Sequence, residues 1–259
     1  MNSEEMKDLF DLSGRVAIVT GGSGGLGQAA AAGLAAYGAS VVITARRVDA
    51  LEDAAAEIRD AGGIVLPMSC DVTDEESVVA MVKRTTGELG GVDILLTAAG
   101  IARRAPAEEM GMEDWDLVMD TNVKGTFLCC KHAGKAMIER GAGKVITVSS
   151  VRAILGHPLG YAAYGTSKGA INLLTRQLAV EWAKYKINVN SIAPCIFRTP
   201  LTEPVLCDPE SAKIFLDRIP WGRAAEPEDF IGATVFLASA ASDFVTGQVL
   251  YVDGGNVAS

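Results

Sequence analysis

Seven short runs of Val, Ile and Leu recur along the chain, and few of them alternate with polar residues. They are RVAIVT (15–20), SVVITA (40–45), IVLPM (64–68), DILLTA (93–98), KVITVS (144–149), INVNSIA (187–193) and QVLYVD (248–253). A strand with one wet face alternates apolar and polar positions, whereas a near-continuous run marks a strand covered on both faces, as in a parallel sheet. Between the runs lie segments of helix length, at 25–37, 49–61, 74–89, 113–139, 161–184 and 227–239. Strand–helix–strand alternation requires right-handed crossovers. The expected fold is therefore α/β, a seven-stranded parallel sheet wound on both sides by helices. In TDEES, Thr73 is expected to cap the third of these helices, with acids in its first turn. The chain reads as one domain over 14–259 after an N-terminal extension at 1–13. The irregular stretch at about 194–226 carries Pro194, Pro200, Pro204, Pro209 and Pro220, and a loop of that length reads as a lid or substrate loop.

Composition narrows the partners. The chain has 23 Lys+Arg against 32 Asp+Glu, a net charge of −9, which argues against a nucleic-acid binder. Five cysteines without framework spacing fit a reducing, cytoplasmic setting. The two histidines, His132 and His157, stand in no zinc-ligand pattern, so no metal is expected. The opening MNSEEMKDLFDLSG is polar and acidic, unlike a secretory signal. No apolar run approaches the ~18 residues of a membrane span.

Directly after the first run comes TGGSGGLGQ, which opens a helix of small residues. Glycines there permit a tight turn and let backbone N–H groups approach a pyrophosphate at the helix N-terminus. The spacing Thr20-Gly21-x-x-x-Gly25-x-Gly27 resembles the TGxxxGxG of the short-chain dehydrogenase/reductase family. That resemblance implies a Rossmann-type domain for NAD(H) or NADP(H), with Gly21, Ser23, Gly25, Leu26 and Gly27 at the phosphates. The second strand ends ITARRVD, with Ala45 where NAD-using members carry Asp, followed by Arg46 and Arg47. An arginine pairs well with a 2′-phosphate, so NADP(H) is preferred, with NAD(H) possible. Gly24 departs from this pattern, since many NADP-dependent relatives have a basic residue there. The resemblance also places Asp71 at the adenine, Val72, Ala99, Gly100, Pro194 and Ile196 along the dinucleotide, and Thr199 at the carboxamide.

The chemistry centres on YGTSK (164–168). Tyr164 and Lys168, four apart, share a helix face. Tyr161 has no lysine at that spacing. An ammonium group one turn away, with a positive nicotinamide, is expected to favour the phenolate; a lowering of two to three units corresponds to roughly 3–4 kcal/mol. Tyr164 then exchanges a proton with an alcohol or ketone. Ser149 and Ser150 point oppositely in a strand; the resemblance selects Ser150 to hold the substrate oxygen, Lys168 to grip the nicotinamide ribose, and Asn122 to complete a proton relay. Two departures stand out. The family's NNAG reads TAAG at 97–100, and its Pro-Gly after strand six reads Pro194–Cys195.

For the substrate, Arg103, Arg104 and Arg152 suggest a carboxylate, with His157 and Trp221 as further candidates. DLFDLSGRVAIVTGG and IARRAP resemble gluconate 5-dehydrogenase-type members, which implies oxidation of a polyol or sugar acid. Leu155, Leu159, Leu201, Leu206, Phe215 and Trp221 could instead line an apolar pocket for a 3-oxoacyl thioester or hydroxysteroid. A non-catalytic dinucleotide sensor on the same fold is a third possibility. The closing QVLYVDGGNVAS resembles the family's subunit contact and implies a homotetramer.

Overall fold

In each strand, consecutive side chains leave opposite faces of the sheet, and both faces are covered. Ala17 and Val19 join one core with Leu34 of helix α2 (Gly25–Ala36), Leu51 of α3 (Val48–Asp60) and Phe230 of α10 (Glu228–Ala238). Ile18 between them joins the opposite core with Val78 of α4 (Glu75–Leu89), Cys129 of α6 (Gly125–Arg140) and Leu178 of α7 (Ala162–Trp182). Ala17, Ile18 and Val19 are all fully buried, which is why their run carries no polar alternation.

The computed structural model describes residues 2–259. Its strands are β1 (Val16–Thr20), β2 (Ser40–Ala45), β3 (Ile64–Ser69), β4 (Ile94–Thr97), β5 (Gly143–Val148), β6 (Ile187–Pro194) and β7 (Val249–Val252). They form one seven-stranded sheet in the order β3-β2-β1-β4-β5-β6-β7, every pairing parallel. Strand order reverses between β1 and β4, and the crevice beyond the carboxyl ends there is where such sheets hold ligands.

Three local expectations change. Asp74, not Thr73, caps α4: the Asp74 side chain accepts from the Glu76 N–H at 3.1 Å. Thr73 is already committed, donating its N–H and hydroxyl to Asp71 Oδ1 at 2.9 and 2.8 Å. The single helix expected over 113–139 is α5 (Met112–Met119), a π turn (Asp120–Lys124) and α6 in continuous succession. The N-terminal segment contains a capped helix, α1 (Ser3–Asp8), after which Leu12 is buried and its N–H bonds Tyr37 O.

The stretch after β6 is not structureless. It carries α8 (Glu203–Leu206) and α9 (Pro209–Leu216) over a small core of Ile196, Val205, Ile219 and Ala224. It rejoins the body where Phe197 bridges Ala225.

Candidate functional site

At the end of β1 the backbone turns sharply. Gly21 has φ 70°, in the left-handed region that favours glycine. A Cβ on Gly27 would stand 2.3 Å from the Gly21 carbonyl oxygen, and one on Gly21 would stand 2.8 Å from the Ala98–Ala99 backbone. Gly24 precedes α2 without a side-chain cap, and the first turn holds no acid. The first-turn N–H groups thus face outward without a side-chain partner, the arrangement that receives a phosphate. Thr199 packs over this loop, its Cβ 3.5 Å from where a Gly25 Cβ would lie. Ser23 and Gly25 with Thr199 border a surface cavity of about 540 Å³ running outward between α2, α3 and α10; Leu26 is half-buried beside them.

Arg46 and Arg47 are exposed beyond β2. The Asp71 carboxyl lies below its ordinary value, chiefly through the Thr73 hydrogen bonds, with a smaller pull from Arg46. Val72 is buried against Gly125, and Ala99 N–H donates to Thr20 Oγ1 at 3.2 Å. A Cβ on Gly100 would lie 3.2 Å from Asn122 Oδ1 and 3.6 Å from Lys168 Nζ, so these three adjoin. The residues at this end fit a dinucleotide: a side-chain-free cradle, a bare helix N-terminus and two exposed cations at the ribose end.

Beside it stand the candidates for chemistry. Asn122 sits in the π turn, a feature common at functional sites, and is buried. Its Oδ1 accepts from Ile101 N–H at 2.9 Å, and its Nδ2 donates to Ile101 O and Ser167 Oγ, each at 3.0 Å. Ser149 turns inward and donates to Lys168 O at 3.2 Å, pinning α7 to β5. Ser150 faces the cleft; its hydroxyl accepts from Arg152 N–H at 3.1 Å and lies near enough to the Tyr164 phenol to favour its ionised form. Pro194 O lies 3.5 Å from Ser150 Oγ, and Ile196 is buried in the small core of the following segment.

Lys168 is buried, donates to Val148 O at 2.7 Å, and lies 5.6 Å from the Tyr164 ring centroid. Burial pushes its pKa down to about 8. Burial pushes the Tyr164 phenol up to about 12, with the nearby Ser150 hydroxyl acting in the opposite sense. The expected acidification of the phenol by the lysine is therefore not a property of the chain alone. Desolvation of both groups outweighs their spacing.

The substrate candidates divide. Arg103 is exposed and paired with Asp114 at 3.1 Å. Trp221 is 74% exposed and rests on Gly254. Neither joins the cleft cluster. Arg104 lies 5.9 Å over the Tyr161 ring. Arg152 is buried and donates to Gly156 O at 3.0 Å. The His157 ring stacks on Phe215 at 4.5 Å and meets Tyr161 edge-on at 5.2 Å. Burial, with Arg152, Arg218 and Arg104 nearby, holds His157 down at about 4, so it is neutral through the physiological range. Tyr161, set aside as a base, is a wall of the same cleft, 5.9 Å from Tyr164; its place one helical turn before Tyr164 is the signal for that.

The two departures are accommodated. Small Ala98 suits the close approach of Gly21 to the end of β4. Cys195 has an ordinary backbone, since Lys186 is the sole non-glycine with positive φ among the described residues. No cluster of His, Cys, Asp and Glu suited to a metal is found among them. Among the described residues no helix is long and apolar enough to cross a membrane.

Residues 21–256 match the sequence pattern of the family described as enoyl-(acyl carrier protein) reductase. The chain is 42% identical to gluconate 5-dehydrogenase of Gluconobacter oxydans, over 96% of each chain. The chain belongs to the short-chain dehydrogenase/reductase family. It is thus an NAD(P)-dependent oxidoreductase acting on CH–OH donors. A second relative, 2-dehydro-3-deoxy-D-gluconate 5-dehydrogenase of Formosa agariphila, is 41% identical over 97% of this chain and 96% of its own. Among solved structures, a gluconate 5-dehydrogenase from Burkholderia cenocepacia in complex with NADP and tartrate superposes with a TM-score of 0.93. It shares 38% identity, over 97% of this chain and 98% of that one.

Proposed function

We propose that this short-chain dehydrogenase/reductase interconverts a secondary alcohol and a ketone on a sugar acid, gluconate and 5-ketogluconate being the first pair, with NADP(H). The observation that carries the reaction type is the Ser150 hydroxyl close enough to the Tyr164 phenol to act on its proton, with Lys168 one helical turn on and 5.6 Å from the ring. The relatives named for gluconate, and the neighbour holding NADP and tartrate, support the substrate and cofactor.

Arg46 and Arg47 take the 2′-phosphate, Gly21, Ser23, Gly25, Leu26 and Gly27 the pyrophosphate, and Asp71 and Val72 the adenine end. Ala99, Gly100, Pro194, Ile196 and Thr199 border the nicotinamide end, where Lys168 holds the ribose. When bound, the dinucleotide supplies the hydride donor or acceptor and, oxidised, a positive charge near the phenol. Ser150 Oγ accepts from Arg152 N–H, and its proton, held only by a long 3.5 Å bond to Pro194 O, can turn to the substrate oxygen. Tyr164, protonated at neutral pH, gives its proton to the ketone oxygen in reduction and recovers one from the alcohol in oxidation. Asn122 orders the strap at Ile101 beside Lys168 and is placed for a water relay. The segment at about 194–226 is the substrate loop of a single catalytic domain, 14–259.

The test is a panel of NADPH-linked rates on 5-ketogluconate, a 3-oxoacyl thioester and a ketosteroid. The sugar acid is expected to lead; a background rate on it would remove this reading. An apolar pocket has less support, because Leu201 and Trp221 are exposed and Leu206 and Phe215 pack against the small core under the substrate loop.

A pH profile probes Lys168. Burial disfavours its charged form, so the cation that grips the ribose persists only below about pH 8. Accordingly kcat/KM for NADPH, which reports the free enzyme, should be level below that value and fall above it. Lys168→Arg, charged throughout, should remove the break. A profile level to pH 10 in the unaltered enzyme would count against the assignment.

The assembly is a homotetramer in the cytoplasm. Leu117 of α5, Phe127 of α6, Leu173 and Val180 of α7, and Leu250 of edge strand β7 are exposed and suit subunit contacts. All five cysteines are free thiols, which suits a reducing compartment.

A further inference from the structure

Two arginines gather at one end of the cleft with no carboxylate counter-charge. Arg152 on the body and Arg218, just after α9, both donate to the same carbonyl, Gly156 O, at 3.0 and 3.4 Å. Their guanidinium groups therefore adjoin, and Arg218 disfavours the charge on Arg152. Arg152 is 9% exposed, and the groups acting on it are Arg218, Tyr161, Tyr164 and Cys195. Among the described residues no carboxylate pairs with either arginine. Arg218 is exposed and keeps its water, but Arg152 is buried, one carbonyl dipole does not offset its charge, and a buried charge without a partner is costly.

His157 adds a second, independent observation. Its Nδ1 accepts from Leu159 N–H at 3.3 Å, so in the neutral ring Nε2 carries the hydrogen. That Nε2 is buried and has no partner. A donor left unsatisfied inside a protein marks a place for an acceptor.

We propose that Arg218, Arg152 and His157 Nε2 together bind the substrate carboxylate, and that Arg218 is the specificity residue carried on the segment after β6. The anion would then join the segment after β6 to the body. Arg218 is presented from a firm base: Asn256 Nδ2 donates to its carbonyl at 2.6 Å and Ile219 beside it is buried. Tyr161 stands between His157, at 5.2 Å, and Tyr164, at 5.9 Å. A whole aromatic ring between anion site and phenol suits an acid whose carboxylate lies several carbons from the reacting carbon.

This rests on the sugar-acid reading, and the test separates the two. Binding of gluconate and of uncharged D-glucitol to the NADP-loaded enzyme is measured by calorimetry, and turnover of 5-ketogluconate is measured in parallel. Arg218→Met should cut the preference for gluconate over glucitol about tenfold or more, in KM more than in kcat. Arg218→Lys should recover part of it. A preference unchanged in Arg218→Met, equal losses for both ligands, or no gluconate binding to the unaltered enzyme would overturn the proposal. Arg218-dependent binding without turnover would sink the sugar-acid activity and leave this site standing. Turnover indifferent to Arg218 would sink the site alone.

Discussion

Tyr164→Phe is expected to lower kcat about a thousand-fold while leaving NADPH affinity within a small factor, because general acid–base catalysis is worth ~10²–10⁴-fold. The change deletes one oxygen. The ring stays half-buried against Tyr161, and Lys168 keeps its bond to Val148 O. The glycine turn and Arg46 lie elsewhere in the fold, so the dinucleotide end is untouched. Stability should fall by no more than about 1 kcal/mol, the usual worth of one side-chain hydrogen bond. Stopped-flow turnover with a fluorescence titration of NADPH measures both halves. A non-catalytic dinucleotide sensor would show no loss, and a variant that also fails to bind NADPH would mean the phenol is structural.

Replacing Arg46 and Arg47 together by alanine is expected to reverse the cofactor preference. Each charge-assisted bond to a 2′-phosphate is worth ~1.5–3 kcal/mol, so NADPH binding should weaken by a hundred-fold or more. NADH, which lacks that phosphate, should be little affected. Both arginines are exposed at the end of β2, and Arg47 makes no side-chain capping bond at the start of α3. The fold should therefore tolerate the change. Paired titrations with NADPH and NADH decide it; equal losses for both would place the phosphate elsewhere.

The strands were legible because burial on both faces removes alternation. In Ala17–Ile18–Val19 every position is fully enclosed, and the run says so without help from neighbours. The pairing of Tyr164 with Lys168 was legible because helical spacing alone brings them together. Less local features were not. The π turn at Asp120–Lys124 inserts itself into an unbroken helical pattern without altering composition. Thr73 and Asp74 can both cap a helix, and only the prior capture of Thr73 by Asp71 decides between them. The direction of the phenol's shift depends on desolvation, which spacing does not reveal. Arg218 joins Arg152 only because the segment after β6 folds back over the cleft, and no nearby residue announces it.

The proton carried by the Tyr164 phenol is central to the proposed chemistry. In the chain alone it holds its proton up to about 12, and the positive charge of bound NADP⁺ is expected to lower that value. The direct measurement is absorbance near 295 nm, where phenolate is seen, recorded against pH for the enzyme and its Tyr164→Phe variant, each with and without NADP⁺. One tyrosine is expected to ionise well below pH 10 in the NADP⁺-bound enzyme, with no such step in the free enzyme or in the variant. If that step is absent from the complex, or persists in Tyr164→Phe, then Tyr164 is not the group that moves the proton.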